Sequence, residues 1–378
     1  MKNKFKILLT NDAERIAGGE KYVLYLANAL KNNGHQIYLA PLRNSELADK
    51  SKQMGFETFE IPYGLHGKEF NAIRILYQNI RTKKIDIIHS NSGLDRTIAA
   101  YAGRITGALN ITTIHSCLSI RNNFMHAFRN KFLLDHFTPV GNSIRKILTD
   151  IDKIPSEKIT VVNIGIPRNE ISFNPEGRQK IREQLKIPAE QIVLGTLSRL
   201  VEFKGHKFLL RAVKQLQNQG KNFVLIIAGD GPLKNDLMDE TKMLGISDRV
   251  FFLGHRTDIT DILSSMDIFV QPSKDFGGET FPVAILEALS IGLPVVASEV
   301  GDLSTLVNET NGILTNPEDV QELSVALNSL ISNKGRIVEL GKNSRKKFES
   351  EFTVEIMTER MEKVYKRVLN EKNPDRTK

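Results

Sequence analysis

Residues 267–299 read DIFVQPSKDFGGETFPVAILEALSIGLPVVASE. The apolar run in DIFVQPS predicts a short buried strand, and residues 274–280 form its outgoing loop. PVAILEALSIG predicts a helix beginning near Phe281, and PVVASE predicts the next strand. Strand, helix and strand in this order make a βαβ unit, whose two strands must lie parallel. The helical part is apolar enough to be buried, yet the stretch carries two carboxylates, Glu279 and, after seven intervening residues, Glu287. Core packing does not call for either.

The same alternation runs outward in both directions. Upstream of residue 165, FKILLT, QIYLAP, FETFEIP, IDIIHS, NITTIH and FTPVG read as short strands separated by segments of helical spacing such as GEKYVLYLANALKNNG. The pattern pauses at NIGIPRNEISFNPEGRQ, which reads as a linker, and resumes with QIVLGTLSR, FVLIIAGD, RVFFLG, DIFVQPS, PVVASE and GILTNP. This predicts an α/β chain of two Rossmann-like domains with parallel sheets, residues 1–165 and 166–352. EFTVEIMTERMEKVYKRVL is a long amphipathic helix with no strand after it, so residues 353–378 are expected to pack back on the first domain. A length of 378 residues suits two cores and a cleft between them.

Composition is that of a water-soluble globular protein, 40% hydrophobic and 25% charged. The apolar run after the basic start MKNKFK is too short for a signal peptide, and no window reaches the length of a spanning helix, so the expected location is the cytoplasm. Cys117 is the single cysteine, which rules out an intrachain disulfide and a multi-cysteine metal site. The net charge of +8 is uneven. Residues 1–165 carry 23 Lys+Arg against 14 Asp+Glu, and the remainder 29 against 30. An anionic membrane surface would account for the excess. Nucleic acid is not expected, because no RRM, KH or zinc-finger signature accompanies it.

In open parallel sheets ligands bind beyond the carboxyl ends of the strands, which directs attention to the residues that follow each one. After the first strand, Gly18 and Gly19 open a helix, where they either make a tight turn or let a phosphate approach backbone N–H groups. Arg199 follows QIVLGTLS, and Lys204 stands five residues on. Two cations at one strand end suit a diphosphate, and a solvated loop is the alternative. Gly229 and Gly231 in IIAGDGP predict a tight turn. Glu279 sits at a helix entrance, as sugar-hydroxyl acceptor or as N-cap, and the backbone around Phe281, Pro282 and Val283 would add N–H donors for a phosphate. Glu287 lies about two turns further in. Two histidines, His89 and His115, stand at strand ends. Asp150–Asp152 mimics a metal-binding D-x-D, but follows a helical pattern rather than a buried strand and reads as surface. Metal is not expected, and Cys117 reads as a small buried residue.

Together these residues resemble the family 4 glycosyltransferases, retaining enzymes of the GT-B fold, over nearly the whole chain. The most specific part is ETFPVAILEALSIGLPVVASEVGD, residues 279–302, similar to the family's Glu, seven residues, Glu signature and the G-x-P-V-V-A stretch after it; SRLVEFKG and GDGP are further points of likeness. The resemblance implies that Arg199 and Lys204 hold the donor diphosphate, Glu279 the donor sugar's hydroxyls and Glu287 the nucleotide ribose. It implies that Gly19 closes on the donor phosphate and that His115, rather than His89, lies near donor sugar and acceptor. The chain departs from the pattern where Thr305 stands near a usual glutamate and Ser198 replaces a usual glycine.

The expected activity is transfer of a sugar from a nucleoside diphosphate donor to a glycan or lipid-linked acceptor, without metal or other cofactor, in bacterial surface polysaccharide or lipopolysaccharide assembly. A sugar-nucleotide 2-epimerase and a non-catalytic nucleotide-sugar binding protein are the rivals. In CLSIRNNFMHAFRNKFLLDHF, Ile120, Phe124, Phe128 and Phe132 recur every four residues with Arg121, Arg129 and Lys131 on or beside them, as on a helix that lies on an anionic membrane.

Overall fold

The computed structural model describes residues 4–64, 69–121, 123–275 and 278–372; Phe276 and Gly277 of the loop just discussed lie outside the described residues. The chain divides into two units, residues 1–165 with 354–378, and residues 166–353.

Among the described residues the first unit holds six parallel strands, β1 (Lys6–Asn11), β2 (Gln36–Pro41), β3 (Glu57–Thr58), β4 (Ile87–Ser90), β5 (Leu109–Ile114) and β6 (His136–Pro139), in the order β3-β2-β1-β4-β5-β6. The second holds β7 (Ile192–Leu197), β8 (Phe223–Ala228), β9 (Val250–Gly254), β10 (Ile268–Gln271), β11 (Val295–Ser298) and β12 (Gly312–Thr315), in the order β12-β11-β10-β7-β8-β9. Both are doubly wound Rossmann sheets. Strands covered by helices on both faces have no solvent side, which is why β8 can be the unbroken run FVLIIA with all six residues buried.

Such a sheet reverses direction between its first and fourth strands, and a crevice opens there beyond the strand ends. The two switch points fall between β1 and β4, and between β7 and β10.

Three local readings are corrected. The signature helix spans Val283–Ile291 with Pro282 in an extended conformation before it, so it starts two residues later than expected: a residue that precedes proline is pushed out of the helical region, and Phe281 cannot begin the helix. Part of the expected linker is a helix, Pro175–Gln184, in which proline occupies a first-turn position whose N–H is not needed. In the segment after His115, the α-helix is only Phe124–Phe128 and widens into a π turn over Arg129–Leu133; Ile120 precedes both and is buried.

The last helix, Val354–Lys372, lies in the first unit. It buries Met357, Met361 and Tyr365, its Glu362 Oε1 accepts from Asn33 Nδ2 at 2.6 Å, and Lys372 Nζ pairs with Asp135 at 2.7 Å.

Candidate active site

At the β7–β10 switch point the second unit gathers groups from three loops. Arg199, two residues beyond β7, is exposed. Lys204 ends the short 3-10 turn Glu202–Lys204, and its Nζ donates to Glu279 Oε2 at 2.5 Å, with side-chain exposures of 14% and 7%. The same oxygen accepts from Gln271 Nε2 at 2.9 Å and from Ser273 Oγ at 2.8 Å. Glu279 is therefore not a helix N-cap. Three donors converge on one of its oxygens, and among the described residues none is recorded on Oε1.

Glycines make this convergence possible. Gly205, at φ +68°, follows Lys204, and a Cβ on it would stand 1.8 Å from the Pro272 carbonyl oxygen. Only a residue without a side chain lets the lysine turn lie against the end of β10. Gly301, at φ +54°, likewise passes the Glu279 carbonyl, where a Cβ would approach to 2.1 Å, and Asp302 N donates to Thr280 O. The GDGP turn supports Arg199: Leu200 N donates to Asp230 O, and a Cβ on Gly229 would fall 1.9 Å from Ser198 O. Ser198, the departure from the family glycine, is hydrogen-bonded through Oγ to Nε2 of buried His206 at 3.0 Å.

The remaining donor-site candidates are placed differently from one another. Glu287 is buried within the signature helix, one turn before its end. Phe281 is a buried wedge packed edge-on against Phe352, with ring centroids 5.8 Å apart, so its side chain serves the core. Pro282 has no N–H, which corrects the expectation of donors from Phe281 through Val283: only the residues on either side of it offer one.

In the first unit a cavity of about 500 Å³ opens at the β1–β4 switch point, with Gly19, Asn91, Arg96, His115 and Arg129 in its wall. Gly18 and Gly19 begin the helix Gly18–Asn32, and a Cβ on Gly19 would touch nothing within 4 Å, so packing does not require glycine there. His115 directly follows β5 and meets Tyr22 edge-on at 4.8 Å; burial, and then the Arg96 charge, push its pKa down to about 4. His89 is fully buried instead, hydrogen-bonded through Nδ1 to Tyr365 OH and through Nε2 to Thr113 Oγ1, both at 2.6 Å, and burial holds it down at about 3. Of the two histidines, His115 is the one that lines the cavity. Half-buried Cys117 lies 3.4 Å from Ser143 Oγ.

Two readings change here. Asp152 is buried rather than on the surface: it accepts from Ile120 N at 3.1 Å and from Ser119 Oγ, so it braces the cavity wall, while Asp150 is exposed. Arg129 is only 3% exposed and donates to Thr97 Oγ1, Asn130 Oδ1 and Ile120 O, so it is no membrane-facing cation.

Residues 177–347 match the family described as Glycosyl transferases group 1, and residues 16–170 match Glycosyltransferase Family 4. A GDP-mannose-dependent monoacylated alpha-(1-6)-phosphatidylinositol monomannoside mannosyltransferase of Corynebacterium glutamicum is 30% identical to the chain, over 94% of this chain and 96% of its own. The chain is a family 4 glycosyltransferase of the GT-B fold. It is also 26% identical to an Escherichia coli UDP-Gal:alpha-D-GlcNAc-diphosphoundecaprenol alpha-1,3-galactosyltransferase, with 79% of each covered. The crystal structure of Anabaena HepE in complex with UDP has the same fold, with a TM-score of 0.83, 22% identity, and 95% of this chain and 99% of that one covered.

In this glycosyltransferase Arg199, Lys204 and Glu279 share one switch point, and Gly18, Gly19 and His115 share the other. The sequence reading missed Gln271, Ser273, Asn91 and Arg96. The first two left a faint signal as polar residues closing an otherwise apolar strand. Arg96 left one too, as a charge among alanines in LDRTIAAYAG.

Replacing His89 by alanine should cost about 3 kcal/mol of stability, because it opens a cavity and strands the Tyr365 hydroxyl, while Thr113 Oγ1 keeps Tyr22 OH and Thr138 Oγ1 as partners. His115→Ala should instead leave melting nearly unchanged and cripple transfer. Activity lost with His89 and kept without His115 would reverse the assignment.

The chain should also be acid-sensitive. His89, His115, His136 and His206 are all lowered from 6.5, the first to about 3 and the others to about 4, in each case chiefly by burial. The folded state keeps these imidazoles neutral while the unfolded chain takes up protons near pH 6.5. Their stabilisation is therefore full above that pH and lost as pH falls toward 4. Melting curves from pH 7.5 to 4.5 should show the fall, and His89→Gln should make it shallower.

Proposed function

We propose that this glycosyltransferase moves a sugar from a nucleoside diphosphate donor to a hydroxyl of a glycan or lipid-linked acceptor, with retention of anomeric configuration and without a metal ion, in the assembly of a bacterial surface polysaccharide or lipopolysaccharide. The observation that carries this reading is the Lys204, Glu279, Gln271 and Ser273 cluster at the β7–β10 switch point, with Arg199 exposed two residues beyond β7. Breaking the anomeric C–O bond places charge on the leaving diphosphate, and preorganised cations lower the cost of that charge. Lys204 has three N–H donors and spends one on Glu279, so it can hold the carboxylate and a phosphate oxygen together. Glu279, anchored through Oε2, presents Oε1 to sugar hydroxyls, and Glu287 is assigned to the ribose. The departing phosphate oxygen takes the acceptor hydroxyl's proton on the same face, so no side-chain nucleophile is needed. Neither carboxylate of Asp150–Asp152 is arranged with the other for a cation, since Asp152 is committed to Ser119 and Ile120.

The test is a panel of nucleotide sugars with a lipid-linked glycan acceptor, in EDTA, with the product followed by NMR. Retained transfer in chelator supports the reading. Inversion, or activity lost in EDTA and restored by manganese, overturns those parts; an epimerised donor, or binding without turnover, favours one of the rival activities.

We also propose that the first unit docks peripherally on an anionic membrane at its inner face. No helix among the described residues is long and apolar enough to cross a membrane. The support is a cluster of exposed apolar side chains in one segment, Leu118 (70%), Phe124 (80%), Met125, Phe128 and Phe132, with exposed Arg121 and Lys131 beside them. Each such cation contributes about 1 kcal/mol near an anionic surface. Sedimentation with phosphatidylglycerol vesicles should occur at low salt, weaken at high salt and be lost in Arg121→Glu with Lys131→Glu. Binding unchanged by that double substitution would place any membrane contact elsewhere.

A further inference from the structure

The cavity of the first unit contains guanidinium N–H donors that its packing does not use. Arg96 is 8% exposed, and its Nε donates to Thr112 Oγ1 at 3.0 Å. Among the described residues nothing else accepts from its guanidinium, so its Nη groups, four N–H donors, are left to the cavity. The charges of Asp95, Asp12 and Asp152 act on Arg96, but these carboxylates spend their hydrogen bonds on other groups. Asp95 accepts from Thr10 Oγ1 and the backbone of Asn91, Ser92 and Arg96; Asp12 accepts from Leu94 N and Asp95 N; Asp152 holds Ser119 and Ile120. The second guanidinium, Arg129, is buried beside it. Burial lowers both, Arg129 to about 10 with Arg96 as a further cause. Two more polar atoms of the wall are buried without a partner, Asn91 Oδ1 and His126 Nδ1. A buried arginine whose charge these carboxylates partly offset but whose fork is open, in a cavity that also has Leu94, Leu118 and Ile120 in its wall, offers hydrogen bonds to an anion that carries an apolar or sugar substituent.

Resting on the glycosyltransferase reading, we propose that this cavity binds a phosphoryl group of the acceptor, held by the Arg96 fork, and so selects a phosphate-bearing glycolipid over a neutral glycan. The apolar side chains at Leu118, Phe124 and Phe128 then lie on the segment that leads from the cavity and suit the lipid part. A fork that makes two parallel charge-assisted bonds discriminates for phosphate by about ten- to a hundredfold in affinity.

The probe is octyl phosphate, titrated into the full chain by calorimetry and compared with octanol and with inorganic pyrophosphate. Octyl phosphate should bind the wild type at least tenfold more tightly than octanol does. Arg96→Met should lose at least tenfold of that, and Arg96→Gln serves in its place where the methionine variant fails to fold. The triple variant Arg199→Ala, Lys204→Met, Glu279→Gln should bind octyl phosphate as the wild type does, while it loses pyrophosphate, which Arg96→Met should retain. A wild type that ignores octyl phosphate, equal binding of octanol, an unchanged Arg96 variant, or loss of octyl phosphate in the triple variant overturns the acceptor site. Pyrophosphate binding that survives the triple variant counts instead against the donor-site reading. Tungstate soaked into crystals should appear within hydrogen-bond distance of Arg96 Nη; an ion found only elsewhere also overturns the site.

Discussion

Arg199→Ala lowers turnover by about two to three orders of magnitude and leaves the melting temperature where it was, because the side chain is exposed and removes nothing from the core when truncated. Lys204→Ala gives a similar kinetic loss with a different thermal signature. Glu279 is nearly inaccessible, so removal of its cation leaves a buried carboxylate supported only by Gln271 and Ser273, at a cost of about 3–5 kcal/mol. Lys204→Met combined with Glu279→Gln removes both charges together and should recover most of the stability while staying inactive. Steady-state kinetics and differential scanning calorimetry on the four proteins separate the two effects. Near-wild-type turnover in both single variants would refute the diphosphate role.

Gly205→Ala is the second large effect. A left-handed backbone costs a residue with a Cβ about 1–2 kcal/mol by itself. Here the added carbon would also overlap the Pro272 carbonyl at 1.8 Å, so the loop that carries Lys204 must move. Together these should remove about 3 kcal/mol, a fall of roughly 6–12 °C in melting temperature for a unit of this size, and transfer should drop with it as Lys204 leaves Glu279. Gly245 is the control. It has φ +63°, but a Cβ there meets nothing within 4 Å, so Gly245→Ala bears the backbone cost without the overlap and should leave transfer intact. Equal losses in the two variants would show that the close approach at Pro272 does not matter.

Hydrophobic periodicity carried the succession of strands and helices. Runs such as FVLIIA and VVAS have the length and burial of strands covered on both faces, and each of the twelve strands among the described residues overlaps a segment whose pattern announces it, with β1, β5 and β6 reaching one residue beyond theirs. Periodicity was weaker at boundaries, where single residues decide. Pro282 delayed the signature helix, Pro175 began one inside an apparent linker, and the four-residue spacing of phenylalanines after His115 spans a helix of five residues that opens into a π turn.

By itself the sequence determined which loops follow strand ends, and therefore that Gly19, His115, Arg199, Lys204 and Glu279 stand where an open parallel sheet offers its crevice. It also determined the family, through the run from Glu279 to Asp302. Only the tertiary structure decided which of those groups meet and what state they are in. The pairing of Lys204 with Glu279 exists because β7 and β10 are neighbours across the switch point, 75 residues apart in the chain. His89 and His115 end adjacent strands in the same kind of sequence; Tyr365, from a helix some 270 residues on, closes over the first and leaves the second at the cavity. Arg129 and Asp152 read as surface charges because a local pattern records spacing along the chain, whereas burial depends on what packs over a side chain from elsewhere.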